Sequence, residues 1–195
     1  MLWFILVVPT RADVRVDLTT APAQSERGAD RNGVADEEEG RELERFETAD
    51  ISLQEALKIA GKFHFGARVV DISFDATGRT AVYRVKSIRR GHIWEDMIDT
   101  TTGRIMAVAT ESDFANLKTT DRRNLVAFRS VSLEIADAVR VAERNASGSA
   151  ISAGLLAENG KLNFVIVVVS GKKLRQVILQ PPASEGWQAG RRRSR

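Results

Sequence analysis

Two histidines, His64 and His92, are the only imidazoles in the chain, and no cysteine accompanies them. Composition alone therefore excludes disulfides, thiolate zinc sites, iron–sulfur ligation and a cysteine nucleophile. His-Glu-x-x-His, Gly-x-Ser-x-Gly and Walker-type phosphate loops are all missing. Asp96 and Asp99 share one extended segment, but an even and an odd position point to opposite faces, so they do not form an acid–base pair. The residues thus point away from an enzyme and call for no cofactor and no metal. Ligand chemistry is better served by Arg89, Arg90, His92 and Trp94. Alternation places His92 and Trp94 on one strand face beside two cations of a turn, where an aromatic plate could receive an anionic or stacking ligand. The plainer reading of Trp94 is a core residue at a turn edge. His64 falls at the end of a helix, where a cation meets the carbonyl ends favourably.

The elements that must position these groups emerge from an internal repeat. Ile51-Ser52-Leu53-Gln54-Glu55-Ala56 matches Val131-Ser132-Leu133-Glu134-Ile135-Ala136 at an offset of 80, and Thr77-Gly78-Arg79 matches Asn159-Gly160-Lys161 at an offset of 82. Each copy opens with a helix. Ser52 is placed to cap the first, with Glu55 closing a capping box. Leu53, Ala56, Leu57, Ala60 and Phe63 make one apolar stripe. The second copy offers Ser132 as cap and a stripe of Leu133, Ala136, Val139 and Ala142, with Ile135 where a reciprocal Glu would stand. Gly66 and Gly148 lie beyond the helices, where the chain reverses.

Period-two patterns follow each helix. Val70, Ile72 and Phe74 oppose Asp71, Ser73 and Asp75, and Tyr83 and Val85 alternate with Arg84 and Lys86. Further strands are predicted over 93–99 and 105–109, and in the second copy near 151–157, 163–169 and 173–179. Short turns join them, so the sheet should be an antiparallel meander. Val165–Val169 is apolar on both faces, which requires cover from both sides. Units of this size bury little surface alone, so the two should pack together.

The flanks differ in character. Leu2–Val8 is apolar, too short for the roughly 20 residues of a bilayer span but suited to the apolar region of an export signal. Ala21-Pro22-Ala23 supplies a small-x-small pattern, although no basic segment precedes the run and Arg11, Asp13, Arg15 and Asp17 intervene. An apolar end packed on the fold is the alternative. Asp36-Glu37-Glu38-Glu39 with Glu42, Glu44 and Glu47 reads as an acidic tether with a helical turn around 37–46, without the spacing of a calcium loop. The chain carries 29 Lys+Arg against 26 Asp+Glu; four of the basic residues are the arginines of 191–195, and the remainder sums to −1.

Taken in order, Ile51-Ser52-Leu53-Gln54-Glu55-Ala56, Val69-Val70-Asp71, Ala81-Val82-Tyr83-Arg84-Val85 and Asp99-Thr100-Thr101-Thr102-Gly103-Arg104-Ile105 resemble the PepSY domain. Its pattern is a capped helix, a v-Y-x-V strand and a D-x-x-T-G-x-i hairpin. The second copy is degenerate: Val165 replaces the Tyr, and Gln180-Pro181-Pro182 replaces the last turn. The resemblance implies an α+β fold of two cystatin-like units, each a helix across a small antiparallel sheet, after a disordered N-terminal segment. The expected layout is an export segment over 1–23, a tether over 24–49, unit 1 over 50–110, a connector over 111–129, unit 2 over 130–182 and a basic flexible tail over 183–195. It further implies a non-catalytic envelope module, periplasmic or secreted, that recognises a polypeptide such as a peptidase through an open sheet edge. Alternatives are an anionic-polymer binder using the basic tail with Arg89 and Arg90, though nucleic acid is disfavoured as a partner, and a cryptic hydrolase. Self-association is left open.

Overall fold

The structure, a computed structural model, describes residues 40–159 and 161–181, with 108–112 described by their backbone alone. The export segment, the tether up to residue 39 and the basic tail lie outside the described residues. Helix α1 covers residues 40–47. It is followed by α2 (Leu53–Phe63), β1 (Arg68–Asp75), β2 (Val82–Arg89), β3 (His92–Asp99) and β4 (Ile105–Asp113). A 3₁₀ turn (Phe114–Asn116) leads to α3 (Thr119–Phe128), α4 (Ile135–Ala146), β5 (Ser149–Glu158), β6 (Lys161–Ser170) and β7 (Lys173–Leu179). The fold is α+β.

All seven strands form one sheet, in the order β4-β3-β2-β1-β5-β6-β7. Every pairing is antiparallel. Each stretch expected to be a unit is a helix lying on antiparallel strands, and the two stretches are joined edge to edge rather than stacked. Their seam is short: only Ile72↔Ala153 and Ser73↔Ser152 pair across β1 and β5. Beyond those pairs the seam is closed by side chains. Asn124 of α3 donates to Leu155 O (2.8 Å) and accepts from Ala157 N–H (2.7 Å), which satisfies the edge of β5 where β1 has left it. Arg68 donates to Phe128 O and Leu133 O (both 3.1 Å) and to Glu134 Oε1 (2.8 Å), with its guanidinium over the Phe128 ring.

The register explains the core. Ile72, Phe74, Tyr83, Val85 and Ile98 share the face that α2 covers, and Ala153, Phe164, Ile166 and Val168 continue it; all are buried. Leu53, Ala56, Leu57 and Ala60 supply the α2 side of the contact. On the opposite face Asp71, Ser73, Arg84, Lys86 and Glu95 are half-buried in the first half, and Val165 and Val167 in the second. The apolar character of 165–169 is thus used fully on one side and partly on the other.

Local chemistry sets the helix ends. Ser52 and Glu55 form the predicted capping box, and the Ser52 hydroxyl holds the Glu55 carboxyl below its ordinary range. In α4 the expected Ser132 cap is displaced by two residues. Glu134 caps the helix, and Asp137 Oδ2 accepts the Glu134 N–H at 3.4 Å. Arg68 fixes the Glu134 carboxylate in place, and the buried stripe moves accordingly to Ile135, Ala138, Val139, Ala142 and Ala146. At the far ends the two copies also differ. Gly66 takes a positive φ of +77°, whereas after α4 that role falls to Ser147 at +52°. Gly148 answers a different need: a Cβ there would lie 2.1 Å from Val169 O. Residues 40–47, placed within the tether, are helical because Phe46 has an apolar partner in Phe74, with rings edge-on at 5.3 Å. Arg45 pins this helix by donating to Ala76 O, Gly78 O and Arg79 O.

Candidate functional site

The β2–β3 hairpin turns on Arg90 and Gly91, both with positive φ (+52° and +92°), the pairing of conformations that a tight two-residue turn requires. This turn brings Arg89, Arg90, His92 and Trp94 together, and the end of α2 folds down beside them. Arg89 Nη1 donates to Phe65 O at 2.6 Å, tying the turn to the segment after α2. Arg89 and Arg90 are exposed. Trp94 is half-buried, and its ring lies 6.1 Å from His92 and 4.8 Å from His64, at 28° and 18° to them. His92 Nδ1 is 3.8 Å from Asp113 Oδ1.

His64 does not meet the carbonyl ends of its helix, as its position there led us to expect. Its ring turns to β3, where Nε2 lies 3.1 Å from Asp96 Oδ1 and 2.9 Å from Oδ2. Only the Oδ1 contact has hydrogen-bond geometry, so Oδ2 is left without a hydrogen bond. Asp96 is fully buried, and a fully buried carboxylate attracts a partner more strongly than a helix terminus does. The second buried polar atom without a hydrogen bond, Ser87 Oγ, belongs to the residue paired with Trp94. Phe63 stands edge-on to His64 at 4.7 Å and is 51% exposed, and Phe65 is 83% exposed. The surface is therefore an aromatic plate edged by cations over a buried His–Asp pair. His64, Phe63, Phe65 and Asp96 join the four residues singled out from the sequence. Parity on β3 already aligned Asp96 with His92 and Trp94; which helix end would meet them was a tertiary matter.

The family-like motif residues do other work. Tyr83 donates its hydroxyl to Ile51 O at 3.0 Å, and the Ile51 N–H reaches Thr100 O at 2.8 Å. Burial pushes the Tyr83 hydroxyl above its ordinary range. Asp99 Oδ1 accepts the N–H groups of Thr101 (2.9 Å) and Thr102 (2.7 Å), and the Thr102 bond foremost lowers its pKa. Gly103 closes the turn at φ +68°. These residues lock the start of α2 to the sheet.

A cleft of about 470 Å³ opens between the start of α2 and the end of α4. Of the carboxylates that line it, Glu47, Asp50 and Glu143, the last accepts from Ala150 N–H (3.0 Å) and Gln54 Nε2 (3.4 Å), so it serves as mortar between the halves. Among the described residues no three His, Asp or Glu side chains converge as metal ligands. No described helix is long and apolar enough to cross a membrane.

Comparison with known proteins bears on this geometry. No curated protein matches the chain. A crystal structure of a presumed lipoprotein from Clostridium difficile 630 is similar at 14% identity, over 68% of this chain and 88% of that one, with a TM-score of 0.40, a likeness too distant to bear on function. The family model for the peptidase propeptide and YPEB domain, PepSY, matches residues 50–109. That interval runs from the cap of α2 into β4 and contains Tyr83, Asp99, Thr102, Gly103 and the whole β2–β3 hairpin. Residues 50–109 thus match the PepSY family model, and the structure builds them into one half of a wider sheet.

Proposed function

We propose that the chain is a non-catalytic, extracytoplasmic module that binds another polypeptide, a peptidase being the partner class that best suits it. The observation that carries this reading is the PepSY match over α2–β4, a domain described through peptidase propeptides. The sheet supports it physically. Among the described residues β4 and β7 each have one edge that no strand pairs, and a strand edge can take up an extended chain by backbone hydrogen bonding. Affinity capture on the intact chain from an envelope extract, followed by reconstitution of the captured pair from purified components, tests the reading. A peptidase bound in both steps is expected; failure of every captured polypeptide to rebind in purified form would overturn it. Anionic-polymer binding is the second reading, favoured by exposed Arg89 and Arg90 beside the Trp94 ring. Its signature is affinity for a nucleic acid that collapses as salt rises.

A further inference from the structure

The surface at the end of α2 is unusual in exposing two phenylalanines within a cationic rim. A side chain such as Phe65, 83% exposed, loses contact with water only when something covers it. Its backbone is nevertheless held in place, because Arg89 donates to its carbonyl at 2.6 Å and Gly66 takes the left-handed turn just after it. Beside it His64 and His92 stack on Trp94, Phe63 stands edge-on to His64, and His64 is anchored to buried Asp96, which makes an ordered aromatic cluster. The rim is basic. Arg89 and Arg90 stand on the turn, and Arg129 lies over the ring of Phe114, whose N–H bonds Gly91 O of the same turn at 3.0 Å. Among the described side chains here the exposed carboxylate is Asp113, which lies 3.8 Å from His92 Nδ1, so the three arginines outnumber it. An aromatic plate with such a rim is complementary to apolar side chains interspersed with carboxylates, and arginine pairs well with carboxylates at interfaces.

We infer that the end of α2 and the β2–β3 turn are a docking surface for an acidic segment of a partner polypeptide, its apolar side chains seated on Phe63, Phe65 and Trp94 and its carboxylates meeting Arg89, Arg90 and Arg129. This deepens the polypeptide-binding reading and rests on it. Aromatic and arginine residues of this kind concentrate binding energy, so single changes have large effects.

The test uses the full chain and a fluorescein-labelled 12-residue peptide alternating Asp or Glu with Leu or Phe, read by fluorescence anisotropy. A peptide with Lys in place of the acids and a single-stranded DNA 12-mer serve as rival probes. The acidic peptide is expected to bind, with Kd rising about tenfold in Phe65→Ala and in Arg90→Glu, and less tightly at high salt. Both positions are exposed, and unchanged melting curves for the two variants establish that folding is intact. Equal affinity for the lysine peptide, preference for the DNA, or variants that bind the acidic peptide as well as the parent chain would each overturn the proposal. If the reconstituted partner binds the two variants undiminished, polypeptide binding stands and this surface is ruled out as its site. If no partner is reconstituted yet the acidic peptide binds in a variant-sensitive way, the surface stands alone.

Discussion

Replacing Gly148 by Ala probes how closely the two halves of the second unit are fitted. The new Cβ would sit 2.1 Å from Val169 O, 2.8 Å from Val169 C and 3.0 Å from Ser170 Cα. Ordinary contact begins near 3.4 Å, so the end of β6 must retreat by about 1 Å or more. What blocks the methyl is backbone, which has no rotamer to swing aside. Retreat disturbs the Ser149↔Val169 and Ala150↔Val168 pairings and the seat of Val168, which is fully buried. Overpacking of this kind costs about 1–3 kcal/mol. Alanine returns about 0.4–1 kcal/mol by restricting the unfolded chain, since Gly148 does not need a positive φ. The net loss is about 1–2 kcal/mol, and at roughly 2–4 °C per kcal/mol for a domain of this size the Tm falls by about 2–8 °C. Gly61→Ala is the control of opposite sign. Gly61 lies inside α2 with nothing within 4 Å of the added methyl, so helix propensity should raise stability by about 0.5–1 kcal/mol. Thermal melts followed by circular dichroism and urea titrations read both. A Gly148→Ala protein as stable as the parent would refute the close approach, and with it the packing assigned to the α4–β5 corner.

Gly103→Val should cost about 1 kcal/mol or more, because φ is +68° there and a Cβ would lie 3.1 Å from Ile59 Cδ1; an unchanged urea midpoint would count against the turn. Asn124→Leu should cost about 1–3 kcal/mol by orphaning Leu155 O and Ala157 N–H, and faster amide exchange at Ala157 is the local readout. Asp71 lies beside the β1–β5 seam, and burial pushes its carboxyl up to about 6, with Lys86 opposing and Glu95 and Asp121 reinforcing the rise. A raised carboxyl binds its proton more tightly in the folded than in the unfolded chain. Its contribution therefore falls as pH climbs from about 4 to about 6 and stays low above that, a change of at most about 3 kcal/mol. Asp71→Asn should flatten that slope and stabilise the protein at pH 7, as urea titrations at a series of pH values would show.

Local information sufficed wherever the deciding contact was near in sequence. The Ser52–Glu55 box, the alternation of β1 through β3 and the turn at Gly103 each depend on neighbours within a few positions, so residue types and their spacing specify them. The pairing of His92 with Trp94 on one face was legible for the same reason. Long-range partners decided the remainder. The cap of α4 lies at Glu134 rather than Ser132, and Arg68, far upstream, holds the Glu134 carboxylate. His64 left its own helix end for Asp96, since a buried carboxyl group needs a polar partner and the fold brings this ring against it. The helical turn expected within the acidic stretch was legible, but its seat, Phe46 edge-on to Phe74, was not. That the strands of 68–113 and of 149–179 share a single sheet, through a seam of two residue pairs plugged by Asn124, could not be read from either stretch, because strand edges carry no address in their own sequence. Periodicity declares which face of an element is apolar; only the assembled chain settles what that face, or the charge beside it, will meet.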